Sequence, residues 1–405
     1  MAVTGIQPAA LWERQMPDPR RIRALMGGFA LLGVWLATLG ALLQLWATYL
    51  RLGPQATGNV FLMLGLGSVA APLAALWSRP TGRTVQQLFV GSGILAATSY
   101  LWLWRIVEPF WILPPLLVLG LALGALNAAI ALLLRATVTP PRGTDLIVLA
   151  GIFFSAGAMT TCLLLWILAE RLGTILWLQA LLFLTLAWRV SRSNLFEFMA
   201  FRPDSSSLWG QLDRTPRGIL LALALFLESG TYWTIGGWLA FYLGRKFGMA
   251  GSTSLAILAG FWLALTCGRL ASQRLPPLEK RLRWLVTACG LCVVGSIFLI
   301  QTAEISGAVV GASCLGSGLG LLHPLTLGAV AGRHPQLQPR LLHTFFLVTF
   351  SAGLLIPWGV GHLAARMGIE IVVWTALAVG ILIFILLGIV VVESKLDQRT
   401  APTAS

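Results

Sequence analysis

Long apolar runs separated by short polar stretches recur along the whole chain. A membrane-spanning helix needs about 20 mostly apolar residues, and twelve runs approach or exceed that length. A polar stretch, 191–216, divides them six and six. The pattern predicts an all-α membrane protein with twelve transmembrane helices: six in residues 1–190, a cytoplasmic linker at 191–216, and six in 217–405. The predicted spans are 24–48, 58–78, 86–106, 111–134, 145–169, 173–190, 217–243, 252–272, 284–302, 305–331, 341–364 and 369–392.

Two short patterns recur in the second half at a common offset of 196 residues. Such self-similarity indicates two related halves. In membrane proteins, parallel repeats are typical of transporters whose binding site lies between them. We therefore predict two pseudo-symmetric six-helix bundles that meet around a water-filled cleft. The matched positions are Gly120 and Gly316, Leu123 and Leu319, Gly124 and Gly320, Leu126 and Leu322, Asn127 and His323, and the tetrapeptide Phe-Ser-Ala-Gly at 154–157 and 350–353.

Composition and charge narrow the class of protein. The chain is 57% hydrophobic and 10% charged, with a mean hydropathy of +0.84, which excludes a soluble domain. Its net charge of +14 does not indicate nucleic-acid binding, because the basic residues are scattered over the ends of the spans. With the N-terminus placed inside, 22 of the 28 Lys and Arg residues fall on the inner side and 6 on the outer side. This bias predicts that both termini are cytoplasmic.

Three segments match motifs of a known family. Residues 261–270 are similar to its Phe-Trp-x-Gly-x-Thr-x-Gly-Arg, residues 351–361 to its Gly-x-x-x-Pro-Trp-x-x-Gly, and residues 236–242 to its Gly-Trp-x-x-x-Tyr. With the six-plus-six layout, the chain resembles the major facilitator superfamily, and these motifs resemble its fucose/galactose/glucose–proton symporter branch. The resemblance implies the twelve-helix major facilitator fold, with spans one, four, seven and ten lining a central cavity.

The chain departs from that branch in its acidic residues. Spans one and four of the branch usually carry carboxylates, whereas span one here offers only Thr38 and Gln44, and span four offers Asn127. Glu228 is the one acidic residue that the predicted boundaries place well inside the bilayer, roughly 16 Å from Arg217 at the inner surface. A buried carboxylate is costly, so we interpret Glu228 as a proton-coupling and substrate-binding residue. The alternative is a neutral glutamic acid that holds two helices together.

Aromatic residues follow Glu228 on the same span. Tyr232, Trp233 and Trp238 make a plausible sugar platform, because ring faces stack on C–H surfaces while polar groups bond hydroxyls. The alternative is that these rings anchor the helix at the outer interface, which is the interpretation we favour for Tyr242.

Asn127 and His323 occupy equivalent places in the two halves, each just after a Gly-x-x-x-Gly. By the resemblance, we expect them to face each other across the cavity and to bind substrate, with His323 also a titrating partner of Glu228. The alternative is that each satisfies a neighbour within its own half. Gln44 is a further candidate for the cavity, and Gln179 is expected to bond another helix.

Two arginines close the inner ends of spans two and eight. By the resemblance, Arg83 and Arg269 latch the halves together on the cytoplasmic side and act as gating residues. For Arg83 the family's acidic partner is missing from the loop at 78–83, so simple anchoring at the inner surface is an equal alternative.

No phosphate-binding loop, zinc spacing or Ser-His-Asp set occurs in the sequence, so we expect no enzyme activity, cofactor or metal. We predict a monomeric secondary transporter in the bacterial inner membrane. Its partners are the lipid bilayer, a small polar solute with a sugar as one candidate, and protons if Glu228 couples transport. The alternatives are efflux of amphiphilic compounds, and a non-transporting sensor or scaffold on the same fold.

Overall fold

The computed structural model describes residues 19–76, 81–106, 108–137, 143–168, 171–193, 196, 215–273, 281–333 and 338–400. Within these ranges the chain forms twelve α-helices and a short 3₁₀-helix (Pro109–Ile112), without a strand. The α-helices are α1 (Pro19–Tyr49), α2 (Pro54–Leu76), α3 (Gly82–Leu103), α4 (Leu113–Thr137), α5 (Gly143–Ile167), α6 (Leu172–Ser191), α7 (Pro216–Phe247), α8 (Gly251–Ser272), α9 (Arg281–Gln301), α10 (Ile305–Arg333), α11 (Gln338–Met367) and α12 (Ile371–Thr400).

Each predicted span coincides with one helix. Ten helices, α1 and α4 to α12, are long and apolar enough within the described residues to cross a membrane, so the chain is an integral membrane protein. The side chains of α2 are described only as far as Ala70. In α3, Gln86, Gln87 and several small hydroxyl residues lower the mean hydropathy. Most of the predicted linker lies outside the described residues.

The longest helix, α7, has clear start and stop signals in the sequence. The side chain of Thr215 caps its first turn by accepting from the backbone N–H of Gly218, and Pro216 occupies the first helical position. Gly248 ends the helix at a φ of 62°, which glycine adopts without steric cost. Between these limits, 32 residues carry four of the predicted site residues, Glu228, Tyr232, Trp233 and Trp238.

Helix neighbours in the first half recur in the second half. α1 contacts α4 and α5, α2 contacts α4, and α3 contacts α4 and α6. With six added to each number, α7 contacts α10 and α11, α8 contacts α10, and α9 contacts α10 and α12. The contacts that join the halves follow the same rule, since α2 with α11 is the counterpart of α8 with α5, and α1 meets α7.

The repeated glycines lie where two of these equivalent helix pairs cross. A Cβ on Gly124 of α4 would lie 2.5 Å from the carbonyl oxygen of Ser68 in α2. A Cβ on Gly320 of α10 would clash with the carbonyl oxygen of Leu265 in α8. Only glycine allows such close backbone approach. The offset of 196 residues therefore marks the same helix crossing in both halves.

Candidate functional site

The structure brings Glu228 and His323 together. We call the end of the molecule where α1 begins the inner end, and the opposite end the outer end. Glu228 lies near the middle of α7, with 1% of its side chain exposed, and His323 of α10 is 13% exposed. Nδ1 of His323 lies 3.1 Å from Oε2 and 3.2 Å from Oε1 of Glu228. A buried carboxyl group next to an imidazole can hold a shared proton.

The helix that carries His323 lacks one backbone hydrogen bond beside this residue. Pro324 follows it directly within α10. Proline has no N–H, so the carbonyl of Gly320, one turn earlier, loses its usual helical donor. The buried pair therefore lies at a weakened point of the helix.

Asn127 occupies a different environment from its counterpart His323. It is buried in α4, and its Oδ1 has no hydrogen-bond partner among the described residues. The ring of His323 pairs with Glu228. The second half thus holds an acid–histidine pair, the first half holds an amide oxygen without a partner among the described residues, and substrate binding by Asn127 and His323 stays a prediction.

Aromatic rings fill the centre between the halves. Trp233 of α7 contacts Trp35 of α1 at 5.8 Å and Phe350 of α11 at 5.6 Å between ring centroids. Its indole N–H donates to the hydroxyl oxygen of Tyr232 at 2.9 Å. Tyr232 in turn meets the ring edge of Phe154 in α5 at 6.0 Å. Phe154 and Phe350 are the first residues of the repeated tetrapeptide, so each repeat contributes one ring to this contact.

A small cavity lies beside these rings. Trp35, Phe61, Ser68, Trp233 and Phe350 are among the residues that line it, and it has room for about one water molecule. A second cavity of similar size lies on the other side of Trp35, within the first half. Among the described residues, aromatic side chains fill the space around these two cavities, so neither of them is the water-filled cleft expected from the sequence.

Gln44 lies towards the outer end, away from the central cavity where the sequence placed it. Its Nε2 donates to Oγ of Ser254 in α8 at 3.4 Å. At the same end, a Cβ on Gly361 of α11 would lie 2.6 Å from the Cα of Gly58 in α2. We call these two interactions, Gln44 with Ser254 and Gly58 with Gly361, the outer contact. Both join a first-half helix to a second-half helix.

Trp238 and Tyr242 also serve packing rather than the cavity. Trp238 is fully buried, and its ring stacks on Phe61 at 5.7 Å with an interplanar angle of 17°. Tyr242, expected at the outer interface, is fully buried, and its hydroxyl donates to the carbonyl of Leu299 at 2.6 Å. The Lys246 ammonium donates to the same carbonyl at 2.7 Å, so both side chains pair with the end of α9.

Arg269 joins the halves at the inner end. It is 4% exposed, and its guanidinium donates to the carbonyl oxygen of Gly151 in α5. Its Cζ lies 5.4 Å from the ring centroid of Phe154. We call the interaction of Arg269 with Gly151 and Phe154 the inner contact. Arg83, the other predicted gating residue, is exposed at the start of α3.

Gln179 and two cysteines of α9 have the surroundings of residues that pack between helices. Gln179 of α6 donates to the hydroxyl of Thr38 in α1, so it bonds another helix as expected. Cys289 and Cys292 are buried free thiols. Within the described ranges, no group of three metal-ligating side chains forms.

The sequence did not single out Trp35, Phe154 or Phe350. Trp35 stands in an uninterrupted apolar run, where nothing distinguishes it from a lipid-facing residue. The two phenylalanines carried a signal, since both begin the repeated tetrapeptide, but the repeat was used only to find the halves. Residues that recur at equivalent positions in both halves are candidates for contacts across the interface.

Comparison with solved structures of known proteins identifies the fold. No protein-family model matches the chain, and no curated protein matches it. Several solved structures do. The human organic anion transporter MFSD10 is 15% identical at a TM-score of 0.64, with 92% of this chain and 100% of that chain covered. A bacterial homologue of the human lysosomal transporter Spinster, captured inward-facing and occupied, is 12% identical at a TM-score of 0.64, with 98% and 100% covered.

The symporter branch is represented among these matches. The fucose:proton symporter FucP of E. coli is 17% identical at a TM-score of 0.60, with 90% of this chain and 97% of that chain covered. A second structure of FucP, in an outward conformation, is described as a major facilitator superfamily transporter. Over nearly its whole length, the chain therefore has the fold of the major facilitator superfamily.

Proposed function

We propose that the protein is a secondary active transporter that moves a small solute by alternating access. In this proposal all twelve helices span the membrane, residues 1–190 and 217–405 form two bundles, and substrate binds between them. One observation carries the proposal: the inner contact and the outer contact close opposite ends of a centre that holds a cavity and a buried acid–histidine pair. Alternating access requires such closures to form and break in turn.

The named relatives support the class of cargo without identifying it. MFSD10 is an organic anion transporter, and FucP is a symporter of fucose with protons. Both cargoes are small solutes, and the fucose relative makes proton coupling a reasonable part of the proposal. We place the protein in the bacterial inner membrane as a monomer with both termini cytoplasmic, following the charge bias.

The coupling step that we propose uses Glu228, His323 and Arg269. While Glu228 and His323 share a proton, the pair is neutral overall and tolerates burial. Loss of that proton leaves a buried carboxylate, and Arg269 is the cation that interacts with it electrostatically. Among the described residues, Tyr232 and Cys292 also interact electrostatically with Glu228. The free carboxylate then attracts Arg269 away from Gly151, so deprotonation opens the inner end.

A test of this cycle needs no knowledge of the cargo. Spin labels at Gln55 and Ala365 report the outer ends of α2 and α11, and labels at Gln87 and Gln273 report the inner ends of α3 and α8; all four side chains are exposed. Distances are measured by double electron–electron resonance in lipid nanodiscs, with the five native cysteines replaced. Between about pH 5 and pH 8, where histidine usually titrates, we expect the inner pair to gain a longer distance as pH rises.

Glu228→Gln removes the titrating carboxyl group but keeps its size. We expect the inner distances of this variant to be independent of pH, while Glu304→Gln, an exposed acid at the outer end, behaves like the wild type. Single, fixed distances for both label pairs at every pH would contradict alternating access. Distances that switch equally in Glu228→Gln would leave the transporter standing and remove Glu228 from the coupling.

A second candidate keeps the fold and the cycle but exports amphiphilic compounds. The aromatic wall of the central cavity favours it.

A further inference from the structure

The inference in this section rests on the proposed transport function and concerns its cargo. We infer that the space between the rings of the central cavity, once the two halves separate and widen it, takes an uncharged, ring-bearing compound with few hydrogen-bonding groups, one of which accepts from the indole N–H of Trp35. The cargo is thus not a polyhydroxylated sugar.

The cavity wall is aromatic and uncharged. Four rings line it, from Trp35, Phe61, Trp233 and Phe350, and its lining residues carry no charge. The charged groups of the site, Glu228 and Arg269, are not part of this wall. A charged solute would lose its hydration here without gaining a partner. A flat ring finds faces on which to stack.

Few polar groups of the wall are free to bind a solute. The Ser68 hydroxyl already donates to the carbonyl of Gly65 at 2.9 Å, and the Trp233 N–H already donates to Tyr232. The N–H of Trp35 is different, since Trp35 is 3% exposed and this group has no hydrogen-bond partner among the described residues. It is a buried donor that a bound acceptor would satisfy.

This inventory argues against a sugar. A hexose carries several hydroxyl groups, each of which must find a partner on leaving water, and an unsatisfied one costs about 1–3 kcal/mol. The wall offers the Trp35 N–H as a free donor and the Ser68 hydroxyl oxygen as an acceptor. These two groups cannot pair with all the hydroxyl groups of a hexose. A bicyclic compound with a single carbonyl oxygen satisfies Trp35 and leaves no group of its own unpaired.

Two probes of the same shape separate the hydrogen bond from stacking. Coumarin is a flat, uncharged bicycle with a carbonyl acceptor, and naphthalene is a bicycle of similar size without one. Binding is measured by isothermal titration calorimetry on the protein in nanodiscs, with titrations of empty nanodiscs subtracted. We expect coumarin to bind about three- to tenfold more tightly than naphthalene, and L-fucose, D-galactose and benzoate to give no binding heat.

Trp35→Phe keeps a ring but removes the donor. We expect coumarin to lose its advantage over naphthalene in this variant, since both probes lose the same stacking area and only coumarin loses a hydrogen bond. Trp374→Phe is the matched control, because Trp374 is exposed on α12, and it should preserve the difference between the probes. The wild-type comparison of coumarin with naphthalene and the sugars stands without any variant.

Several results would overturn the inference. Binding of fucose or galactose in place of coumarin would reject the cargo class, as would equal affinities of the two probes for the wild type. A coumarin preference that survives in a folded Trp35→Phe protein would reject the role of Trp35. If the spin-label distances still switch with pH, each of these results rejects only the inference about the cargo, and the transport proposal stands. Distances that are fixed would show that the transport proposal itself fails.

Discussion

At the residue scale, His323 is the group that covers Glu228. Its ring nitrogen is 3.1 Å from a carboxyl oxygen that has almost no exposure to solvent. Whatever the cargo, truncation of His323 leaves a buried carboxyl group short of a hydrogen-bond partner. Such a group costs about 1–3 kcal/mol.

We therefore predict that His323→Ala lowers the free energy of unfolding by about that amount, and that His323→Gln, which restores a donor, recovers part of the loss. His362→Ala is the control, because His362 bonds only to a carbonyl one turn earlier on its own helix, at Trp358. Unfolding in mild detergent, followed by tryptophan fluorescence, measures all three variants. Equal losses for His323→Ala and His362→Ala would mean that the pair contributes nothing particular.

The identity of the polar residues could be predicted from the sequence, but their orientation could not. Counting along the helix placed Glu228 deep in the bilayer, and the structure buries it. The resemblance put Gln44 in the cavity, because span one lines the cavity in the family, whereas Gln44 bonds to Ser254 near the outer end. Depth follows from the number of residues, while the direction of a side chain follows from helix rotation and packing. Trp35 was missed for the same reason.

At the element scale, the outer contact depends on two glycines. A Cβ on Gly361 would lie 2.6 Å from the Cα of Gly58 and 2.9 Å from the carbonyl oxygen of Pro54, distances that packed atoms do not tolerate. α2 and α11 can therefore approach this closely only without a side chain at residue 361.

We predict that Gly361→Ala holds the outer end open, which lengthens the distance between labels at Gln55 and Ala365. Gly359→Ala is the control on the same helix, since a Cβ there meets nothing within 4 Å. Its label distance should match that of the wild type. A short distance in Gly361→Ala would show that α2 and α11 close by another route.

The helices themselves followed closely from the apolar runs. Thr215 with Pro216, and Gly248, mark the two ends of α7 in the sequence as they do in the structure. Which helices pack against each other could not be predicted from the periodicity of apolar residues, because a span that is apolar all round does not show which face meets a neighbour. The repeated glycines were the exception, and they mark where α4 crosses α2 and α10 crosses α8.

At the scale of the whole molecule, the two ends are closed by contacts of different strength. The inner contact uses a guanidinium, whose hydrogen bonds are worth about 1.5–3 kcal/mol, and the outer contact uses a neutral amide, worth about 0.5–1.5 kcal/mol. Loss of either contact should favour opening at its own end only. A substitution that removes the inner contact and one that removes the outer contact are therefore expected to shift the conformational equilibrium in opposite directions.

We predict that Arg269→Met lengthens the inner distance, with a change in population of about tenfold or more, and that Gln44→Leu lengthens the outer distance by a smaller factor. The two label pairs defined above measure both effects in one set of samples. Each variant is the control for the other, because both substitutions remove a polar group from the interface. An inner end that stays closed in Arg269→Met would remove Arg269 from gating.

The proline beside His323 has a consequence for how a proton could move a helix. A continuous α-helix resists bending because each turn is held by backbone hydrogen bonds. In α10 one of these bonds is already missing at Pro324. A change of charge at the neighbouring imidazole can thus tilt the parts of α10 before and after Pro324 against each other without breaking a further backbone hydrogen bond. The gain or loss of one proton at His323 is then enough to bend the helix.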